Sequence, residues 1–313
     1  MKYFITLFVF AVTISNVSLA QVPSVFDFNF DFDRQITPAV RLNFGWDNSS
    51  LREEDKKTLT NSLSSYGLDL GFTSTQDFFP IIKKTYYAFS DKIISDADKQ
   101  IFNSALTDNS FWGLGLSMSH FNSSNSTHNN YSGAFIITPV RLDGSGYKIG
   151  NNVNLKFLTG SNMAWYILDN DMKLLPPSEE PNEYADIGKF GSGSLFRFGT
   201  KYRSEVSFQF AKGISISGEA NRMIIFPRTL FWKYLGSEMI YDIGSFTLEY
   251  FMGKIKTSNP YVYPVVDFIL KTGLNFGMSE LQKNKMNWPF NSAVPLMVEQ
   301  YRVGLQFEFS LKK

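Results

Sequence analysis

The chain has two histidines, His120 and His128, and these are its only side chains with an ordinary pKa near neutrality. His120 stands in Ser119-His120-Phe121-Asn122-Ser123-Ser124-Asn125, where an imidazole lies close in sequence to several hydroxyls. A base beside a hydroxyl is the minimum for an activated nucleophile. On a strand, residues two apart share a face. Position 122 is Asn, Ser123 falls on the opposite face unless the strand has ended, and Ser124 reaches His120 only if the chain curls. The plainer reading of His120 is an interfacial residue beside a polar loop, and it is the one preferred here.

Other charged groups offer less chemistry. Residues 169–186 carry Asp169, Asp171, Glu179, Glu180, Glu183 and Asp186 among prolines. Carboxylates bind hard cations, but this spacing matches no calcium loop, and a solvated surface loop is expected. Arg197, Lys201, Arg203 and Arg222 would favour anions if they lined a lumen. Glu205 and Glu219 lie close enough in sequence to neutralise them. With no Cys, thiolate zinc sites, iron–sulfur clusters, thiol catalysis, disulfides and a lipoprotein anchor are all excluded. Asn-x-Ser/Thr sites at Asn48, Asn122, Asn125 and Asn130 are read as polar loop residues. Gly191-Ser-Gly193 lacks the lysine and the strand–loop–helix setting of a phosphate loop. No metal and no cofactor is expected. Lys plus Arg is 30 against 29 for Asp plus Glu, so no basic bias points to nucleic acid.

The elements that must position these residues alternate in polarity. Residues 1–20 read as a signal peptide: Lys2, a short apolar run, then Ser18-Leu19-Ala20, with cleavage leaving Gln21 first. The remaining residues suffice for a single β-domain over 21–313. Phe26, Phe28, Phe30 and Phe32 alternate with Asp27, Asn29, Asp31 and Asp33, and Val40, Leu42, Phe44 and Trp46 alternate with polar or small residues. These are two-faced strands. At 50–109 the pattern breaks. A polar helix over 51–59 with a capping box at Ser50 and Glu53, and helical spacing near 94–105, predict a helix-rich insertion, in the role of plug or cap.

Strands resume from 111, with Trp112, Leu114, Leu116 and Met118 on one side and Gly113, Gly115, Ser117 and Ser119 on the other. Small residues on the inner side fit a narrow, crowded barrel. Long polar stretches (122–130, 169–192) alternate with tight joints, as in barrels with long loops outside and short turns in the periplasm. Over 227–290 both periods fit. A short helix is expected after Pro227, ending before Gly236. The helical stripe Val262, Val265, Val266, Ile269, Gly273, Phe276 and Gly277 competes with alternation over 246–252 and 266–278. Gly273 and Gly277 cost a helix about 1 kcal/mol each, so strands are expected. The last stretch, 301–311, alternates throughout and has roughly the 9–11 residues a tilted strand needs to cross a bilayer. It is the expected closing strand, with 26–32 as its partner.

The leader, the lack of Cys, the alternating strands from 111 and the closing strand 301–311 together resemble Gram-negative outer-membrane β-barrel proteins. The resemblance implies an all-β antiparallel transmembrane barrel of about 10–12 strands with helical insertions. It implies outer-membrane lipid as surroundings and recognition of the C-terminal strand by the barrel assembly machinery. Here Phe309 is followed by Ser310-Leu311-Lys312-Lys313, where that group usually ends on an aromatic residue. The expected role is non-catalytic: channel, transport or structural, porin-like in its broad class. One alternative is a lipid acyl hydrolase. The segment at His120 is similar to the His-aromatic-Ser-Asn segment of outer-membrane lipid acyl hydrolases. That similarity implies His120 as base with Ser123 or Ser124 as nucleophile. Another alternative is a soluble secreted β-rich binding protein, in which the greasy faces would pack against each other. The residues name no ligand.

Overall fold

A computed structural model describes residues 36–53, 56–61, 64–77, 105–122, 131–150, 152–168, 197–227 and 230–309. The expected signal peptide, the strand at 26–32, the acidic loop and both Ser123 and Ser124 lie outside these residues. Nine strand segments run β1 (Ile36–Glu53), β2 (Lys56–Asn61), β3 (Ser65–Asp77), β4 (Leu106–Asn122), β5 (Tyr131–Lys148), β6 (Asn154–Leu168), β7 (Arg197–Ala211), β8 (Ile214–Ile225) and β9 (Leu296–Glu308). Two helices, α1 (Phe231–Ser258) and α2 (Tyr263–Gln282), lie between β8 and β9.

β1 pairs antiparallel with both β2 and β3, each strand from β3 to β8 pairs antiparallel with the next, and β9 pairs back onto β1 from Ala39↔Glu308 to Ser50↔Met297. β2 and β3 lie end to end along one side of β1, so the nine segments make a closed barrel of eight walls. The antiparallel barrel is the expected class; the strand number is corrected from 10–12 to eight. The closing strand is Leu296–Glu308, shifted from 301–311, and its partner is the 40–46 strand.

Three expectations fail for identifiable reasons. The polar helix over 51–59 is a hairpin instead, with Asn48↔Asn61 through Glu53↔Lys56 paired. Extending an existing ladder avoids the unfavourable nucleation of a new helix. Residues 65–77 and 106–109 of the expected insertion are barrel wall too. The strands expected over 246–252 and 266–278 are helices. β8 ends and β9 begins at the same end of the barrel, so the segment between them must cross its height an even number of times or not at all. Two antiparallel helices do this. The short helix expected after Pro227 does not stop at Gly236 but continues to Ser258.

Local chemistry explains the joints. β7 and β8 meet in a two-residue turn, Lys212-Gly213, and Gly213 has φ +76, a region that favours glycine. Pro139 has no N–H to give, and the β5–β6 ladder skips from Ile137↔Trp165 to Asp143↔Thr159 without changing register. Within the gap the Arg141 N–H donates to Asn162 Oδ1 at 2.7 Å.

Alternation sorts the walls into two faces. Phe44, Trp46, Tyr66, Phe72, Met118, Val303 and Leu305 stand exposed on the outside. Inside, β9 comes so close to its neighbours that a Cβ on Gly304 would strike Asn43 Oδ1 and lie 2.7 Å from Ser217 Oγ. Replacing Gly304 with valine is therefore expected to block closure. The SDS-resistant, heat-modifiable band of the folded barrel should disappear on gels, whereas Val303→Leu, outward on the same strand, should retain it.

Candidate functional site

The lumen of an eight-stranded barrel is just wide enough for side chains to fill, and the inward residues of this one do fill it. Strand alternation aims Arg41, Asn43 and Asp47 of β1, Asp69 of β3, Lys201, Arg203 and Glu205 of β7, Glu219 of β8, and Gln300 and Arg302 of β9 into the interior, all buried. They form a polar belt between two apolar layers. Toward the end where β1 begins, Ala39, Phe111, Val140, Leu142 and Leu158 pack together. Toward the other end lie Ala134, Ile136, Ala164, Tyr166, Met223, Ile225, Leu296 and Val298. Gly199 leaves the space that the Tyr166 ring occupies: a Cβ there would sit 2.9 Å from the ring.

Arg203 is the hub of the belt. Its Nη1 donates to Asp69 Oδ2 at 2.7 Å, and its Nη2 donates to Glu205 Oε2 at 2.9 Å and pairs with Glu219 Oε2 at 2.5 Å. Arg41 donates to the same Glu205 oxygen at 2.8 Å and stacks on the Phe111 ring, 3.7 Å from its centroid. Arg302 Nε donates to Ser65 Oγ at 3.1 Å, and its guanidinium lies 3.9 Å from Glu219. Nearer one end, Gln300 Nε2 bridges Asp47 and Ser119 at 3.0 and 2.9 Å. Nearer the other, Lys156 meets Glu308 at 3.1 Å. Among the described lumen residues, the cations Arg41, Lys156, Lys201, Arg203 and Arg302 face the acids Asp47, Asp69, Glu205, Glu219 and Glu308, so the formal charges balance. Desolvated charges persist only when paired and hydrogen-bonded, and here the pairing reaches across the barrel between strands distant in sequence.

The sequence-predicted residues divide accordingly. Lys201 and Arg203 enter the lumen; Arg203 is paired with Glu205 and Glu219, the acids the sequence pointed to, and with Asp69, whereas Lys201 has no acid within ion-pair distance among the described residues. Arg222 faces outward, pairing with Glu280 and Glu299 at 2.6 Å each, and Arg197 donates to the Pro227 carbonyl at 2.9 Å. His120 is a backbone partner of Gly133 near the end of β4. With Ser123 and Ser124 outside the described residues, no base–nucleophile pair is assembled among those described. The small inner residues of β4 serve the lumen as expected: a Cβ on Gly115 would sit 2.6 Å from Asp69 Oδ1. Sequence reasoning missed Asp69 and Arg41 as members of the belt. Their inward parity was readable, but which cation each acid meets was not.

What this arrangement does chemically is hold the walls together and close the bore. Removing Arg203 would take a partner from three carboxylates and leave Asp69 with no ion pair among the described residues. Arg203→Met is expected to lower stability by about 3–5 kcal/mol, the scale for breaking a buried ion pair. Arg141→Met, whose ion pair with Asp143 is exposed, should cost far less. Urea midpoints of the two variants, read from loss of the heat-modifiable band, check the difference.

No protein-family model matches the chain, and no curated protein matches it. Among solved structures it is similar to Ail, the attachment invasion locus protein of Yersinia pestis, solved with the heparin analogue sucrose octasulfate. The TM-score is 0.31 and the identity 9%, over 87% of this chain and 99% of that one. It is also similar to Neisserial surface protein A, NspA, with a TM-score of 0.34 and 6% identity over 88% and 99% of the two chains. A third, a deletion mutant of the TodX monoaromatic hydrocarbon channel, has a TM-score of 0.24 and 9% identity over 62% and 48%. These likenesses concern the general shape of the chain only.

Proposed function

We propose that this chain is an outer-membrane β-barrel of Gram-negative type, exported by its N-terminal leader, with a non-catalytic role as a closed structural or surface-presenting barrel. The observation that carries the reading is the polarity of the wall. Large apolar side chains stand outward and open, with Trp46 56% and Phe44 52% exposed, while the interior is ionic and buried. A soluble β-protein does the reverse, since it must bury its greasy face. A spanning barrel leaves that face to lipid and pairs every strand so that no backbone edge is bare.

The filled lumen favours a closed barrel over a porin-like pore. An open channel needs a continuous aqueous path, and two apolar layers flank the charged belt. Presentation of the extracellular loops is the role that remains to such a barrel. The connections at the end opposite the start of β1 and the end of β9 (123–130, 169–196 and the segment 226–295) are the long ones, with 78–104 the exception at the other end. Contact with outer-membrane lipid, and with the assembly machinery through β9, belongs to the same reading.

The protein is expected in the detergent-resistant outer-membrane fraction, with Gln21 as the mature N-terminus by mass spectrometry. Recovery as a soluble periplasmic protein would overturn the membrane reading. Purified protein in planar bilayers should give no steady pore current, and a steady large conductance would overturn the closed-barrel role.

A further inference from the structure

Both helices lie against the outer surface of the barrel. On α2, Thr272 Oγ1 donates to Ser204 Oγ at 3.0 Å, and Tyr202 Oη donates to Gln282 Oε1 at 3.0 Å. Arg222 Nη1 donates to Glu280 Oε1 at 2.6 Å. On α1, Glu238 Oε1 accepts from Thr200 Oγ1 at 3.3 Å. Ser204, Tyr202, Thr200 and Arg222 are outward positions of β7 and β8, the parity opposite to the lumen residues Arg203 and Glu219. The helices therefore cover a sector of the outer wall that is polar, where much of the remaining wall is apolar.

Toward the barrel the helices carry polar residues interleaved with Tyr234, Phe268 and Met278, and away from it they are mostly apolar. The buried positions of α2 include Asp267, Asn275, Ser279 and Gln282, while Val265, Ile269, Leu270 and Phe276 stand exposed. On α1 the exposed stripe is Trp232, Leu235, Met239, Ile243, Phe246 and Tyr250. This inverts the arrangement of a helix on a water-soluble protein. Among the described residues no helix is long and apolar enough to cross a membrane by itself, since each carries polar side chains as well as its apolar stripe.

The dimensions match a bilayer. From Trp232 to Tyr250 is 18 residues, about 27 Å of helix, against an apolar band of about 25 Å on outer-membrane barrels. Aromatic residues stand at both ends of the stripe and aliphatic ones between. The hairpin turns at the end of the barrel where Tyr147 Oη donates to the Tyr261 carbonyl, and it returns to the other end, where Met278 and Met286 pack with Ile224, Phe226 and Met297. It thus runs the height of the wall twice. Between the helices, Tyr241 Oη donates to Asn275 Oδ1 at 2.6 Å, and Lys271 Nζ lies 3.9 Å from Glu249.

We propose that the α1–α2 hairpin is embedded in the bilayer as an outer lining of the barrel, its apolar face solvated by lipid acyl chains and its polar face sealing the β7–β8 wall. This rests on the reading of the barrel as membrane-embedded. A bare β7–β8 sector would present hydroxyls and a guanidinium to hydrocarbon, which disfavours unpaired polar groups. The helices pair those groups and continue the apolar band of the neighbouring wall. The occupant is lipid because the stripe is apolar along its length and matches the outward residues Tyr301, Val303 and Leu305 of β9, the strand next to β8; the exposed Arg141–Asp143 pair of β5 is the polar exception on the wall.

The absence of native cysteine makes the test direct. I243C and I269C place a thiol at mid-height on each helix, and V303C places one on the bare barrel wall. All three positions are outward and exposed, so folding, checked by the heat-modifiable band, should survive. The full chain is reconstituted in phosphatidylethanolamine–phosphatidylglycerol vesicles and treated with a membrane-impermeant maleimide before and after detergent. A nitroxide at each site then reports collisions with oxygen and with a nickel chelate. The expected result is that all three thiols react only after detergent and all three nitroxides meet oxygen in preference to the chelate. If V303C is protected while I243C and I269C react, the hairpin lies outside the bilayer; the proposal fails and the barrel reading stands. If all three react, the barrel reading itself fails. If the helix thiols are protected but their nitroxides meet neither collider, protein and not lipid covers them, which overturns the proposed occupant.

Discussion

Closure of the β-ladder at eight strands is the constraint on which the rest of this structure depends. Once β9 pairs with β1, each barrel strand has a neighbour on both sides and the bore is set. A bore of that width holds side chains and little else. The glycines and serines on the inner face of β4, the glycine at 304 and the missing side chain at 199 all follow from that width. They are places where an aspartate, an asparagine or a tyrosine from another wall needs the room.

The same closure dictates the electrostatics. Side chains enter the lumen from every wall, and those that are charged lose most of their water. The solution is mutual: Arg203 alone meets carboxylates from β3, β7 and β8, and Arg41 shares one of them. Because the charges balance among the described lumen residues, the interior carries no net field to draw ions of one sign. The apolar layers on either side of the belt complete the filling.

Much of this was legible in the residues. Alternation identified the strand at 40–46, the β4 strand with its small inner face, the β7–β8 meander and the closing strand near the C-terminus. The residues also offered Arg197, Lys201, Arg203 and Arg222 as a lumen lining with Glu205 and Glu219 as neutralising partners, of which Lys201, Arg203 and both acids lie in the lumen and Arg222 stands outward. The segment 227–290 was misread because apolar residues there satisfy both periods. The cleaner signal was polar: Asp267, Lys271, Asn275, Ser279 and Gln282 repeat at helical spacing, and four of these are buried. A search for an apolar core stripe overlooks a helix whose buried face is polar. The 51–59 hairpin was misread for a different reason. A capping signal describes what a segment does alone, and here the end of β1 was already available to pair with it.

The sequence by itself determined the class of structure: two-faced strands, an outer greasy side, an interior of small and charged residues, and no thiol chemistry. Those are properties of spacing and composition, local to each segment. Only the tertiary structure decided that eight strands suffice, that 40–46 closes the barrel against β9, that Arg203 binds Asp69 across 134 positions of chain, and that two helices stand outside the wall. These are set by lumen volume, by charge pairing across the bore and by the end of the barrel at which each strand finishes. They are sums over the whole closed ladder, and no single stretch of the chain contains them.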